Sequence, residues 1–197
     1  MFVYDEPNDV TIDYLTKGTS VQKNVYELLQ KHGLMEKLAH YKPILVGTVP
    51  LDIQIEDSDL DIICEVDDFD DFETLIRAEF QHYEKFSVIR RDVEGVHRIK
   101  ANFQCEDWPI EIFGQGIPVL QQNGYRHMMV ETRMLRLFGK DFKCRVHELK
   151  QTGCKTEPAF ASILGLQGDP YKALLIYEDY TDDQLVALYD LSKQKGR

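Results

Sequence analysis

The stretch PILVGTVPLDIQIEDSDLDIICEV, residues 43–66, predicts two strands joined by a polar connection. The apolar run at residues 43–46 stops at Gly47, as expected for a buried strand. Residues 59–66 begin with strict polar/apolar alternation and then become apolar, which is typical of a strand with one polar face. This segment therefore opens the sheet-forming part of the chain.

Two aspartates at the start of the second strand form a candidate metal-binding pair. Asp59 and Asp61 are separated only by Leu60, and residues two apart on a strand share a face, with Cα atoms about 6–7 Å apart. Both carboxylates can then converge on divalent cations, while Leu60 and Ile62 face the core. Mg²⁺ prefers such oxygen ligands and completes its coordination with water and substrate phosphates. The alternative is a pair of solvated acids at an exposed strand start.

Two further features fit the same chemistry. Gly47 and Thr48 end the preceding strand, where a glycine lets phosphate approach the backbone and a hydroxyl with N–H groups can hold its oxygens. Glu111 lies between two isoleucines in a later predicted strand, so its carboxylate points away from the core. If that strand lies beside the strand of the aspartates, three carboxylates meet. Gly47 is equally well explained as a turn glycine.

The remaining pattern predicts an α+β fold in which a mixed α/β part precedes a helical part. Ser20 is the predicted cap of the first helix, and Gly33 interrupts that helix. An amphipathic helix over Asp68–Tyr83 carries acids in its first turn, which suits the positive end of the helix dipole. Further strands are predicted at 86–91, 96–104 and 108–113, and further helices at 125–138, 142–152, 158–166, 170–177 and 182–193. The predicted division is residues 1–116, a small mixed sheet with helices, and residues 117–197, a helical region packed on it.

Charge is concentrated in one segment of the chain. The sequence carries 34 acidic and 23 basic side chains, a net charge of −11, and eleven of the acids lie between Asp52 and Glu73 without a Lys or Arg among them. This balance argues against a non-specific nucleic-acid surface, which needs a Lys/Arg footprint to displace counterions. It leaves room for a nucleotide held through bridging cations. Acids 65–73 are better explained by a helix start and its solvated face than by a binding site.

The expected location is the cytoplasm. Four separated cysteines form no Cys-x-x-Cys pair, which favours reduced thiols over a disulfide framework or a zinc site. The first residues lack the basic start and apolar core of a signal peptide. No apolar run approaches the ~18 residues that span a bilayer, so no membrane partner is expected.

The spacing of these motifs resembles the nucleotidyltransferase superfamily of the DNA polymerase β type. That pattern is a strand ending in Gly-Ser, about ten connecting residues, a strand with Asp-x-Asp, and a third acid on a later strand. The matching segments here are Val46-Gly-Thr48, Ser58-Asp-Leu-Asp-Ile62 and Glu111. More narrowly, the chain is similar to an uncharacterised bacterial family within that superfamily, on the segments 47–63, 110–115, 125–135, 156–160 and 168–171.

The resemblance implies a small mixed sheet with helices and a metal-dependent transfer reaction. Asp59 and Asp61 would hold two Mg²⁺ ions, and Glu111 would bind one ion and help deprotonate the acceptor. Gly47 and Thr48 would bind the substrate. The implied reaction moves a nucleoside monophosphate from NTP to a hydroxyl of a small molecule or a protein, and it depends on positioning and charge neutralisation.

Three departures from the pattern keep other functions open. Thr48 replaces the usual serine, Glu111 replaces an aspartate, and residues 49–58 lack the Arg-Gly element of small family members. A non-catalytic protein of the same fold, which binds a nucleotide or a partner protein, is therefore the main alternative. An acidic module that binds a basic partner without nucleotide is a third, from a different functional class.

Four other polar residues are secondary candidates. His127 and Glu131 lie four apart on a predicted helix and would line the substrate cleft, or form an exposed hydrogen-bonded pair. Arg98 and Lys100 share one face of a predicted strand, where they would meet phosphate or remain as surface charges.

Overall fold

The fold is a five-stranded mixed sheet with helices, as the sequence predicts. A computed structural model of the chain describes residues 11–93 and 95–195. The strands are β1 Ile44–Val46, β2 Leu60–Glu65, β3 Glu84–Val93, β4 Val96–Cys105 and β5 Trp108–Gln115. The helices are α1 Ser20–His32, α2 Leu34–Lys37, α3 Phe69–Phe80, α4 Asn123–Gln151, α5 Thr156–Leu164, α6 Pro170–Leu175 and α7 Asp182–Lys195. Short 3₁₀ turns lie at Asp13–Lys17, Ala39–Tyr41 and Val119–Gln121.

The strand order across the sheet is β1-β2-β5-β4-β3. Strands β2 and β5 are parallel, and the other three neighbouring pairs are antiparallel. The crossover from β2 to β5 contains α3 and the β3–β4 hairpin, so two strands that are far apart in the sequence become neighbours. The strand that follows Asp59 and carries Asp61 therefore lies beside the strand of Glu111, which is the condition that the sequence leaves open for the three carboxylates to meet.

Alternation along β2 explains why one face of the sheet is apolar. Leu60 and Ile62 are fully buried, and they belong to a hydrophobic core that also includes one face of α3, formed by Phe72, Ile76 and Phe80. Because successive side chains of a strand point to opposite faces, burial of these two residues directs Asp61 to the other face.

The structure divides into two compact units, residues 11–52 with 58–125, and residues 53–57 with 126–195. The first unit contains the sheet. The second is helical, and its core includes the aromatic rings of Phe138, Phe142, Phe160 and Tyr189, whose neighbouring centroids lie 4.6–5.2 Å apart. The division at residues 116/117, with the two parts packed together, stays a prediction.

The acids at the start of α3 have the structural role that the sequence predicts. Asp68 caps this helix, and its Oδ1 accepts hydrogen bonds from the backbone N–H groups of Asp70 and Asp71 at 2.9 and 3.0 Å. Arg90 of β3 then pairs with Asp70 at 2.7 Å and with Glu73 at 2.6 Å. These acids are therefore occupied by capping and ion pairing within the first unit.

Gly139 lies inside α4, where the sequence predicts two separate helices. Its backbone is not helical, with φ 78° and ψ −166°, and helical structure continues on both sides of it. The predicted interruption is correct, but the chain resumes a helix directly instead of forming a connecting loop.

No helix within residues 11–93 and 95–195 is both long and apolar enough to cross a membrane. The predicted lack of a signal peptide concerns the first ten residues, which lie outside the described part of the chain.

The predicted cap of α1 is wrong by one residue. Thr19, not Ser20, is the N-cap: its hydroxyl accepts from the N–H of Gln22 at 3.5 Å, while its own N–H donates to Gln22 Oε1 at 3.0 Å. Threonine and serine are both good caps, so the sequence alone does not choose between the two neighbours. The reciprocal bond from Gln22 decides it, because only Thr19 lies three residues before that glutamine.

Replacement of this cap tests the local assignment. We expect Thr19→Ala to lower the free energy of unfolding by about 1 kcal/mol, because it leaves a helix N–H without its acceptor. Ser20→Ala is the matched control and should change stability by well under half that amount. Urea denaturation of the two variants checks this, and an equal loss in both would contradict the capping assignment.

Candidate metal and nucleotide site

Three carboxylates meet on the face of the sheet opposite the core that contains Leu60 and Ile62. Asp61 of β2 lies directly opposite Glu111 of β5 in the parallel register, and Asp59 precedes β2 by one residue. One oxygen from each of the three side chains lies within 4.8 Å of the others. The structure thus brings together all three residues that the sequence predicts as metal ligands, although their role as ligands stays a prediction.

The geometry of the three carboxylates fits Mg²⁺. With Mg–O bonds of about 2.1 Å, two oxygens on one octahedral ion lie about 3 to 4.2 Å apart. Oxygens already within 4.8 Å therefore need only small side-chain rotations to share an ion. Asp59 is exposed, and Asp61 and Glu111 are half-buried, so solvent water can complete the coordination.

A lysine supplies positive charge within this group. Lys100 of β4 forms an ion pair with Glu111 Oε2. The side chains of Lys100 and Glu111 are 45% and 23% exposed, so water screens their attraction. The sequence suggests contact with phosphate for Lys100 and Arg98, and the structure places Lys100 beside the carboxylates. Arg98 lies two residues before Lys100 in the same strand, and its Nε is buried without a hydrogen-bond partner among the described residues.

The turn after β1 lies against the same carboxylates. Gly47 has φ 81°, and a Cβ at this position would approach Asp61 Oδ2 more closely than real Cβ atoms approach any atom. The next residue, Thr48, has a buried Oγ1 without a hydrogen-bond partner among the described residues. A buried hydroxyl is normally paired, so a group that accepted or donated a hydrogen bond here would satisfy it.

His127 and Glu131 lie in the helical unit and are 7% and 3% exposed. The alternative of an exposed hydrogen-bonded pair is therefore wrong, because the packing of the helical unit buries both side chains. His127 Nε2–H donates to the carbonyl oxygen of Tyr171 at 2.8 Å, and its Nδ1 lies 3.5 Å from Glu157 Oε1. Glu131 Oε1 is buried and finds no hydrogen-bond partner among the described residues. These contacts describe a polar cluster inside the helical unit, while a role in substrate binding stays a prediction.

Burial controls the protonation of Glu131. Its pKa is raised well above the ordinary carboxyl value, mainly because burial disfavours the charged form, and the charge of Glu157 raises it further. Lys150 acts in the opposite direction. The Lys150 ammonium also donates to Thr156 Oγ1 at 2.8 Å. Helical spacing alone indicates that Glu131 faces His127, but it does not reveal this depth of burial.

Sequence reasoning did not identify the polar residues on the β4 side of the carboxylates. Asn102 lies directly opposite Glu111, and a cleft of about 130 Å³ is lined by Asp59, Glu111, Asn102, Gln104, Lys85 and Pro109, among others. The sequence predicts Glu111 and the strand that contains Asn102, but it does not give the register between β4 and β5. With that register, Asn102 could have been identified as the residue opposite Glu111.

Comparison with known structures identifies the class of fold. The fold of this chain is similar to that of the Cid1 poly(U) polymerase with bound MgGTP, at a TM-score of 0.51 and 13% identity over 72% of this chain and 48% of that one. A second structure of Cid1, described as an RNA terminal uridylyl transferase, has a TM-score of 0.52 and 12% identity over 78% of this chain and 52% of that one. The GLD-2/RNP-8 complex has a TM-score of 0.50 and 14% identity, and the match covers 90% of this chain and 80% of that one.

The chain belongs to the family described as a domain of unknown function, DUF4269, whose model matches residues 27–177. This agrees with the expected membership of an uncharacterised family. The chain spans about half the length of the Cid1 structures. No curated protein sequence matches it significantly.

Replacement of Gly47 tests the contact between the turn and Asp61. We expect Gly47→Ala to destabilise the fold by about 1–3 kcal/mol through its positive φ, and also to weaken Mg²⁺ binding, because the new Cβ must displace the Asp61 carboxylate. Gly33→Ala is the matched control. Gly33 also has a positive φ, 62°, but its Cβ would meet only Glu36, at 3.9 Å. Calorimetric titration with Mg²⁺ should show weaker binding for Gly47→Ala than for Gly33→Ala. Equal Mg²⁺ affinities of the two variants would contradict the proposed contact between position 47 and the Asp61 carboxylate.

The raised pKa of Glu131 predicts a specific dependence of stability on pH. A carboxyl with a higher pKa in the folded state holds its proton more tightly there, so its stabilising contribution is complete below the ordinary carboxyl pKa and is lost as pH rises through the raised value. Glu131→Gln keeps the size and removes the titration. Its free energy of unfolding relative to wild type should therefore increase between about pH 5 and about pH 8.

An exposed glutamate on the same helix provides the control for this measurement. Glu148→Gln removes the same charge from α4 at a solvated position. Urea denaturation at both pH values should show a smaller pH-dependent difference for this variant. A Glu131→Gln difference that does not change with pH would contradict the assignment of a buried, proton-holding carboxyl.

Proposed function

We propose that this protein is a Mg²⁺-dependent nucleotidyltransferase, which moves a nucleoside monophosphate from NTP to a hydroxyl of a small molecule or a protein. The observation that carries the proposal is the meeting of Asp59, Asp61 and Glu111 within 4.8 Å, on the open face of a nucleotidyltransferase-type sheet. The Gly47-Thr48 turn beside Asp61 adds a place for phosphate.

Each side chain has a distinct part in the proposed reaction. Asp59 and Asp61 would hold the metal ions, and Glu111 would hold one ion and accept the proton of the acceptor hydroxyl. The acceptor oxygen forms a bond to the α-phosphorus, and the bond from that phosphorus to the pyrophosphate oxygen breaks. Bound Mg²⁺ supplies charge neutralisation on the transferring phosphoryl group. The backbone at Gly47 and the hydroxyl of Thr48 position the phosphates.

A non-catalytic protein of the same fold is the second candidate. The ion pair between Lys100 and Glu111 favours it, because an ammonium already occupies the carboxylate that the reaction needs. Glutamate in place of aspartate points the same way. Such a protein would bind NTP or a partner without releasing pyrophosphate.

The identity of the acceptor is part of the proposal. The similar structures carry descriptions of poly(U) polymerase and RNA terminal uridylyl transferase activity. The overall charge alone argues against nucleic acid, and the comparisons do not support that exclusion. An RNA 3′ hydroxyl therefore belongs among the acceptors to be tested. Bacterial origin remains an expectation from the family resemblance.

Nucleotide binding and turnover test the two candidates. We expect NTP to bind in the presence of Mg²⁺ and to release pyrophosphate slowly with water as acceptor, and faster with a suitable hydroxyl compound. Asp59→Asn combined with Asp61→Asn should reduce pyrophosphate release at least about 100-fold, because the charges that hold the ions are lost. Labelled NTP, Mg²⁺ and a pyrophosphate assay measure this.

Asp67→Asn is the matched control. Asp67 is an exposed acid in the same segment and lies outside the group of three carboxylates. Its replacement should leave NTP binding and pyrophosphate release unchanged. Mg²⁺-dependent binding without any pyrophosphate release would favour the non-catalytic candidate. NTP binding that ignores Mg²⁺ and survives the double substitution would contradict the metal role of these residues.

A further inference from the structure

We propose that the cleft on the β4 side of the carboxylates is the acceptor subsite, and that it selects a small acceptor carrying a phosphate group beside the attacking hydroxyl. The proposal rests on the nucleotidyl transfer proposed above. Lys85 is the residue that would bind the phosphate, and Asn102 would orient the hydroxyl-bearing part of the acceptor.

The sheet register places the relevant residues in one row. Val46 lies opposite Asp61, Asp61 opposite Glu111, and Glu111 opposite Asn102. Ser87 of β3 lies opposite Asn102 at the far end. Directly paired residues share a face of the sheet, so the carboxylates stand between the Gly47-Thr48 turn on one side and Asn102 on the other.

The geometry of phosphoryl transfer implies that one end of this row holds the leaving group and the other end holds the acceptor. The attacking oxygen and the leaving oxygen lie roughly in line on opposite sides of the phosphorus. If the leaving pyrophosphate is held at the turn after β1, the acceptor must approach from the β4 side. The cleft lined by Asp59, Glu111 and Asn102 lies on that side.

A β-bulge directs a cation into the cleft. The register between β3 and β4 shifts between Glu84 and Ser87, and Lys85 within this irregularity has φ 56°. Bulges change the direction of side chains and are common beside active sites, and a positive φ at a lysine costs free energy that a regular strand would not. Lys85 lines the cleft and forms no ion pair with the described side chains. An anionic group is the ligand that suits it.

The cleft is small. Its volume of about 130 Å³ is below the roughly 300–1,000 Å³ of typical ligand pockets, so we expect it to hold a small acceptor. The amide groups of Asn102 and Gln104 offer both donors and acceptors to hydroxyl groups. Gln104 Nε2 already donates to the carbonyl oxygen of Glu106 at 2.9 Å, which leaves Asn102 as the better candidate to contact the acceptor.

The reaction in this subsite balances without any further reactant. The acceptor hydroxyl oxygen bonds to the α-phosphorus of NTP, pyrophosphate leaves with the electrons of the broken P–O bond, and the hydroxyl proton passes to Glu111. Lys85 stays charged throughout and holds only the acceptor phosphate.

Acceptor competition tests the proposal. With ATP and Mg²⁺, ribose 5-phosphate should accelerate pyrophosphate release at lower concentrations than ribose does. Lys85→Gln should raise the KM for ribose 5-phosphate about tenfold or more, because a charge-assisted hydrogen bond is lost, while the KM for ribose and the affinity for ATP stay the same. Lys23→Ala, at an exposed lysine on α1, is the matched control and should change none of these values.

Direct binding separates this proposal from the proposed function. Ribose 5-phosphate should bind to the wild-type protein without ATP, as measured by ligand-observed NMR, and Lys85→Gln should abolish that signal. Binding of this kind without pyrophosphate release supports the subsite and contradicts the transferase. Equal use of ribose and ribose 5-phosphate, or an unchanged Lys85→Gln variant, overturns the subsite. So does a short oligoribonucleotide that accelerates release through its 3′ hydroxyl independently of Lys85.

Discussion

The parallel pairing of β2 with β5 is the constraint on which the rest of the site depends. It sets Asp61 directly opposite Glu111, at the spacing of about 4.8 Å between neighbouring strands. Because side chains alternate along the strand, Leu60 and Ile62 are buried in the core on one face of the sheet. The carboxylates lie on the other face. A register shift of one residue would turn the carboxylates into the core and the aliphatic side chains outward. The hydrophobic core therefore holds the carboxylates together, against their mutual repulsion.

That repulsion explains the distribution of positive charge around the acidic segment. Acids at the start of α3 are neutralised locally, by backbone N–H groups at Asp68 and by the guanidinium of Arg90. On the sheet, Lys100 forms an ion pair with Glu111. Like charges within 4.8 Å are unfavourable unless a cation lies near them. The acids at the helix start already have such partners, and a divalent ion would supply the same compensation at the three carboxylates of the proposed site.

Much of the fold could be predicted from the sequence, because its signals are local. Alternation around Asp59 and Asp61 and the glycine that ends β1 locate the first two strands, and the isoleucines on both sides of Glu111 suggest the third carboxylate. Features that depend on pairing between distant segments could not be predicted. The position of Asn102 opposite Glu111 follows from strand register, and the direction of Lys85 follows from a bulge. The burial of Glu131 likewise depends on how helices of the second unit pack, which the four-residue spacing from His127 does not reveal.

The ion pair between Lys100 and Glu111 bears on whether the fold is active. Both side chains are partly exposed, and exposed pairs of this kind contribute only about 0–1 kcal/mol. A divalent ion held by two or three carboxylates gains far more from the same charges, because it interacts with all of them at bond distance. Displacement of Lys100 from Glu111 by a metal ion therefore costs little. The displaced ammonium stays on β4 beside the carboxylates, where it can contact a phosphate oxygen. On this reasoning Lys100 would serve the proposed transferase as a counterion without metal and as a phosphate ligand with metal bound, so the ion pair does not decide between the two candidate functions.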